Sequence, residues 1–168
     1  RRSSDLSARN TISVVENLPP LPESEDEAKA IAEFFPESKI YSGASATLNN
    51  LLSTNVNNYS HIIFATHALK PNEIKGVMTS ALVLTPTDGE LGLLTPSIIR
   101  DLPLSAQFVS LSACSTSAPE LGNGEIYSGL VRSFIEAGAK AVFFTEWQVE
   151  TNTAAYIHTH LQKYLSLG

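Results

Sequence analysis

Three short runs, His61-Ile-Ile-Phe-Ala65, Gln107-Phe-Val-Ser-Leu111 and Ala141-Val-Phe-Phe144, are apolar along most of their length rather than at every second position. A strand with one wet face alternates, whereas a strand covered on both faces has no reason to. Helical patterns lie between and around these runs. Ala28, Ile31, Ala32 and Phe35 recur at i, i+3, i+4 and i+7, and Ile126, Leu130 and Phe134 share one face of a segment that begins near Glu125 and stops at Gly138. A last helix would use Ala154, Ile157, Leu161, Tyr164 and Leu165. The alternation predicts an α/β sandwich of three layers, with a mostly parallel sheet, helices on both faces and right-handed crossovers.

The remaining segments fit around that plan. Thr11 to Val15 is a short β-branched run, and the prolines of Asn17-Leu-Pro-Pro-Leu-Pro22 keep the next stretch out of regular structure. Ser24-Glu-Asp-Glu27 reads as a capping box for the first helix, which Pro36 stops. Lys39 to Tyr41 reads as a short strand, and Ser45 as the cap of a helix carrying Leu48, Leu51 and Leu52 on one face. Ala81-Leu-Val-Leu84 and Leu91-Gly-Leu-Leu94 flank the Asp88-Gly89 turn signal and predict a small antiparallel excursion. Thr95-Pro96 then opens a short helix through Ile98, Ile99 and Leu102.

A chain of 168 residues suits one domain, expected over residues 11–168, with residues 1–10 as a flexible leading segment. At 43% hydrophobic and 17% charged residues it is too apolar to be disordered, and no apolar run is long enough to span a bilayer. The net charge of −6 argues against nucleic acid or an anionic membrane as partner, since both select clustered Lys and Arg. A single cysteine forms no internal disulfide and no signal-peptide pattern is present, so a reducing cytoplasm is the expected compartment. The opening Arg1-Arg2-Ser3-Ser4, without methionine, is what a fragment of a longer polypeptide would show.

That cysteine is the first candidate for chemistry. Cys114 stands in Phe108-Val-Ser-Leu-Ser-Ala-Cys-Ser-Thr116, where an apolar strand passes into small hydroxyl residues, and His67 stands at a similar break in Ala65-Thr-His-Ala68. Open α/β sheets carry their functional crevice at the carboxyl ends of the strands, and both residues are expected one to three positions past such an end. If the two strands are neighbours, the imidazole can take the thiol proton, lower the cysteine pKa and later protonate a leaving amine. The backbone N–H groups of Cys114 and of the residue after His67 are candidate oxyanion donors.

Blander readings compete. A cysteine at a strand end is often only a small buried hydrophobe, and His61, His158 and His160 read as structural. No finger-like or H-E-x-x-H spacing points to zinc, and Ser112 and Ser115 lie in no G-x-S-x-G elbow. Neither a metal nor an organic cofactor is implied. Gly122-Asn-Gly124-Glu-Ile-Tyr-Ser-Gly129 opens a helix and raises a nucleotide-binding reading, but its spacing is not the dinucleotide fingerprint and it lacks the P-loop Lys-Ser/Thr ending. Trp147, after the strand that ends at Thr145, is either a structural aromatic or the wall of a substrate pocket.

A resemblance extends this reading. Asn17 to Pro22 followed by Ser24 to Ile31, then Ser42-Gly-Ala-Ser-Ala-Thr47, His61-Ile-Ile-Phe-Ala-Thr-His67, Leu94-Thr95, Leu111-Ser-Ala-Cys-Ser-Thr116, Gly129-Leu-Val-Arg-Ser-Phe134, Ala137-Gly-Ala139 and Trp147 together resemble the CHAT family of caspase-like cysteine peptidases. The ordered set covers nearly the whole chain from about Thr11, and Cys114 follows His67 at close to the roughly 50 residues typical of caspases. The resemblance implies a clan CD caspase-like sandwich, a His67–Cys114 dyad, and proteolysis of protein substrates with a strong demand on the residue before the cut. It also implies a bacterial source and a regulatory or sensor domain as partner, such as tetratricopeptide repeats.

Two departures qualify it. The family usually has His-Gly where this chain has His67-Ala68; alanine keeps the N–H donor but restricts the backbone angle that presents it. Thr145-Glu-Trp-Gln-Val-Glu150 keeps the tryptophan in altered surroundings. If Glu146, Glu150 or Asp88 lines the specificity pocket, a basic residue before the cut is preferred; otherwise all three are solvated loop residues. The expected function is therefore a cysteine endopeptidase, with a catalytically weak or inactive interaction module as the alternative.

Overall fold

The computed structural model describes residues 15, 18, 19, 21–115, 123–144 and 151–167. Among the described residues, the helices α1 (Pro22–Ala32), α2 (Leu48–Ser53), α3 (Pro96–Arg100), α4 (Asn123–Glu136) and α5 (Thr151–Ser166) accompany the strands β1 (His61–Leu69), β2 (Ala81–Val83), β3 (Leu93–Leu94), β4 (Phe108–Ser115) and β5 (Val142–Phe144). The strands form one sheet in the order β3-β2-β1-β4-β5. β1, β4 and β5 are parallel, and the β2–β3 excursion joins antiparallel on the far side of β1. The fold is α/β with a mixed sheet, consistent with a caspase-like sandwich.

The sheet has two covered faces. Phe64, Val109 and Leu111 face α3 and α4 in a cluster with Ile99, Leu130 and Phe134, and the Phe64 and Phe134 rings lie 5.5 Å apart. Each such side chain contributes about 1.5–3 kcal/mol on burial, so this side carries the larger share of the core. On the other face, α1 and α5 pack against each other over β1 and β4, and Phe35 just beyond α1 meets the His61 ring at 4.9 Å. A second cluster, Val15, Leu69, Ile74, Val77, Ala81, Val83 and Leu93, closes the carboxyl end of β1 against the hairpin.

Several local expectations are corrected. His67, Ala68 and Cys114 lie inside strands, not past their ends, because in-register pairing of β1 with β4 continues to Ala68↔Ser115 and the small residues of Leu111-Ser-Ala-Cys-Ser115 leave the ladder unobstructed. α1 begins two residues before Ser24, with Pro22 in its first turn and no side-chain cap. Lys39 to Tyr41 is not a strand, and its backbone pairs with no other strand among the described residues. Thr47, not Ser45, caps α2 by accepting from the Asn50 N–H at 3.1 Å; Ser45 instead closes a 3-10 turn, accepting from the Ser42 N–H at 3.0 Å. In α5, Ile157 and Tyr164 are exposed while Gln162 is buried. Residues 1–14 and Gly122 lie outside the described residues. Among those described, no helix is long and apolar enough to cross a membrane.

The end of α4 shows how a single glycine sets the next strand. Gly138 has φ +115°, the Ala139 N–H returns to the Phe134 carbonyl at 3.0 Å, and the Ala137 carbonyl accepts from the Leu104 N–H at 3.1 Å. A Cβ at 138 would collide with the Leu104 carbonyl oxygen as well as strain the backbone. Gly138→Ala is expected to cost about 2–3 kcal/mol, the upper part of the ordinary range, read as a lowered urea midpoint at unchanged slope; a loss below about 0.5 kcal/mol would contradict this account of the turn.

Candidate active site

β1 and β4 are adjacent, parallel and in register along their whole shared length, and that register makes His67 and Cys114 Cα partners. Neighbouring strands lie about 4.8 Å apart, so the two backbones meet at one level of the sheet. The condition for the two residues to meet, that their strands be neighbours, is fulfilled. The surroundings of the Cys114 side chain lie outside the described residues.

His67 is held by a group remote in sequence. Its Nε2 lies 2.7 Å from the Pro19 carbonyl oxygen. A carbonyl can only accept, so Nε2 donates and the neutral ring keeps its lone pair on Nδ1. Nδ1 is buried and makes no hydrogen bond among the described residues. The ring is thus oriented through Nε2.

Of two further contacts near His67, one ties the same side of the sheet to α1 and the other ties β1 to its neighbouring strand. Glu27 on α1 is buried, and its Oε2 accepts from Ser112 Oγ on β4 at 3.0 Å, two residues before Cys114. This replaces the capping-box role expected for Glu27. Thr66 Oγ1 donates to the Val83 carbonyl, linking β1 to the hairpin. A groove of about 1430 Å³ opens between β1 on one side and α1 and the stretch Phe34–Gly43 on the other, and His67 lines it.

The other predicted residues are placed as follows. Ala68 is fully buried, flanked by Leu82 of β2 and Ser115 of β4. Asp88 is exposed on the turn between Thr87 and Glu90. Glu146, Trp147 and Glu150 lie outside the described residues. The His61 ring packs tilted against Phe35, and burial pushes its pKa below the ordinary histidine value. His160 meets the Tyr156 carbonyl on its own helix at 2.9 Å. Among the described residues, no group of three His, Cys, Asp or Glu comes together.

Sequence reasoning missed Pro19 and Glu27. The only local signal for Pro19 is Pro20, which biases the preceding residue toward extended backbone; nothing in the sequence reveals which side chain its carbonyl meets. A sequence model of the CHAT domain matches residues 4–168, and the chain belongs to that family, which is related to caspase-like cysteine peptidases. No curated protein and no solved structure matches it.

The tautomer is directly measurable. Long-range ¹H–¹⁵N correlation of the neutral His67 ring is expected to show the proton on Nε2. A dominant Nδ1–H form would contradict the Pro19 contact.

Proposed function

We propose that this chain is a cysteine endopeptidase in which Cys114 is the nucleophile and His67 the general base and acid. The observation that carries the reading is the His67 ring itself: Nε2 is committed to the Pro19 carbonyl, Nδ1 has no hydrogen-bond partner among the described residues, and Cys114 is the register partner. Ser112, two residues before Cys114 on β4, meets α1 through Glu27.

In this mechanism Nδ1 takes the Cys114 proton and the thiolate attacks the scissile carbonyl carbon, forming a C–S bond and an oxyanion. The His67 imidazolium then gives its proton to the amine as the C–N bond breaks. Water, deprotonated by His67, attacks the acyl-enzyme, and thiol and carboxylic acid product are released. Through its hydrogen bond, the Pro19 carbonyl orients the ring. Oxyanion donors are the N–H groups of Cys114 and Ala68; because Ala68 is flanked on both sides, its N–H reaches an oxyanion only if the carboxyl ends of β1 and β4 part when substrate binds.

Specificity is assigned to Glu146, Trp147 and Glu150, which follow β5 beside the cysteine strand, with Asp88 a more remote contributor on its exposed turn. A carboxylate in that pocket favours Arg or Lys before the cut, since a cationic partner offsets its desolvation. The substrate is a protein, the compartment a bacterial cytoplasm, and a sensor domain in the full polypeptide or complex regulates the activity. The alternative, an inactive interaction module, is favoured by one observation: Ala68 is locked in the ladder where the family usually has glycine.

A peptide library varied at the residue before the cut, with Cys114→Ala as blank, tests the reading. Cleavage after Arg or Lys that vanishes in the blank is expected. Cleavage after Asp or an apolar residue would overturn the basic pocket and leave the dyad, and no cleavage with or without the rest of the polypeptide would favour the interaction module. On any cleaved peptide, Ala68→Gly is expected to preserve or raise kcat at similar KM. A tenfold loss, about 1.4 kcal/mol in barrier, would show instead that alanine is adapted to its site.

A further inference from the structure

Glu27 and Ile31 are the buried residues of α1 among those described. One turn apart, they share the face that α1 turns to the sheet. Isoleucine is what a covering helix needs there, and a carboxylate is not. Taking a carboxylate out of water is costly even where donors meet it. Buried ionic groups can often be exchanged for apolar side chains of similar volume at no loss of stability. Cover alone would therefore favour leucine at position 27, so the reason for a carboxylate lies in what it holds.

Glu27 Oε2 accepts from Ser112 Oγ on β4 at 3.0 Å. Ser112 is the register partner of Ala65, and two residues further along both strands Cys114 is the register partner of His67. Two residues of strand span about 6.6 Å, so α1 is fastened to β4 one short step from the level of His67. Just ahead of α1, the Pro19 carbonyl accepts from His67 Nε2 at 2.7 Å. One segment therefore grips both central strands, β4 through a side chain in the second turn of α1 and β1 through a carbonyl in its lead-in. We propose that Glu27 is a positioning residue for His67: by holding Ser112, it seats α1 so that the Pro19 carbonyl meets the imidazole and fixes the ring beside β4. Only the consequence for Cys114 reactivity rests on the proposed peptidase reading; the seating of His67 does not.

Glu27→Leu separates this role from a structural one. Three quantities are read: the urea midpoint, the His67 Nε2–H proton resonance, which its hydrogen bond shields from exchange with water, and the rate of Cys114 alkylation. Glu27→Leu is expected to keep or raise the midpoint, to lose the resonance, and to slow alkylation about tenfold or more, since a displacement of about an ångström can cost roughly a hundredfold in rate. Glu27→Gln, whose amide oxygen still accepts from Ser112, is expected to stay near the parent in all three. Ser112→Ala removes the same hydrogen bond from the β4 side, is expected to shift resonance and rate in the direction of Glu27→Leu, and carries the test should Glu27→Leu not fold. An Nε2–H resonance unchanged in Glu27→Leu or in Ser112→Ala would overturn the proposal. His67→Ala distinguishes the two ways of failing. Slow alkylation in His67→Ala with the parent's resonance and rate in Glu27→Leu would overturn the positioning role and leave the peptidase reading. Loss of the resonance in Glu27→Leu with alkylation unchanged in both variants would support the seating and overturn the peptidase reading.

Discussion

The parallel ladder between β1 and β4 is the constraint on which the rest depends. It brings together two segments far apart in sequence, fixes His67 opposite Cys114, and presents a face on which Phe64, Val109 and Leu111 pack against α4. A slip of one residue would move every side chain of one strand to the other face of the sheet. The apolar side chains therefore specify the register of His67 and Cys114 indirectly. Phe64 can meet Phe134 only in the phase that also sets His67 on the opposite face, toward α1.

On that opposite face the contacts are polar and few. The Pro19 carbonyl holds His67, and Glu27 accepts from Ser112. A single hydrogen bond contributes only about 0.5–1.5 kcal/mol net, less than the burial of one large apolar side chain. These contacts orient groups more than they stabilise the fold. What keeps them in place is α1, anchored by buried Ile31 and by its packing against α5. Among the described residues, a groove beside α1 lies over β1, and His67 lines it.

Much of this was legible in the residues. Apolar runs at 61–65, 107–111 and 141–144 each mark a strand of the parallel part, and Thr95-Pro96, Gly138 and the Asp88-Gly89 turn mark helix and hairpin boundaries where the structure has them. Periodicity and turn chemistry are local, and local signals suffice there. The strand ends were misplaced because Ser112 to Ser115 look like a loop by composition, while small residues are equally at home in a paired central strand. Glu27 looked like a capping residue because its spacing from Ser24 matches that motif; burial against Ser112 is a tertiary fact that spacing does not encode. Pro19 acts through its carbonyl, a group every residue has, and so left no mark in the sequence.

The central claim is that His67 governs the chemistry of Cys114, and because the chain has one cysteine, its reactivity can be read without ambiguity. The decisive measurement is the rate of Cys114 alkylation between about pH 6 and 8, spanning the ordinary histidine pKa near 6.5, in the native chain and in His67→Ala. The account predicts faster labelling in the native chain than for a free thiol of ordinary pKa, with a marked slowing in His67→Ala. Equal rates in the two proteins across that range would contradict it.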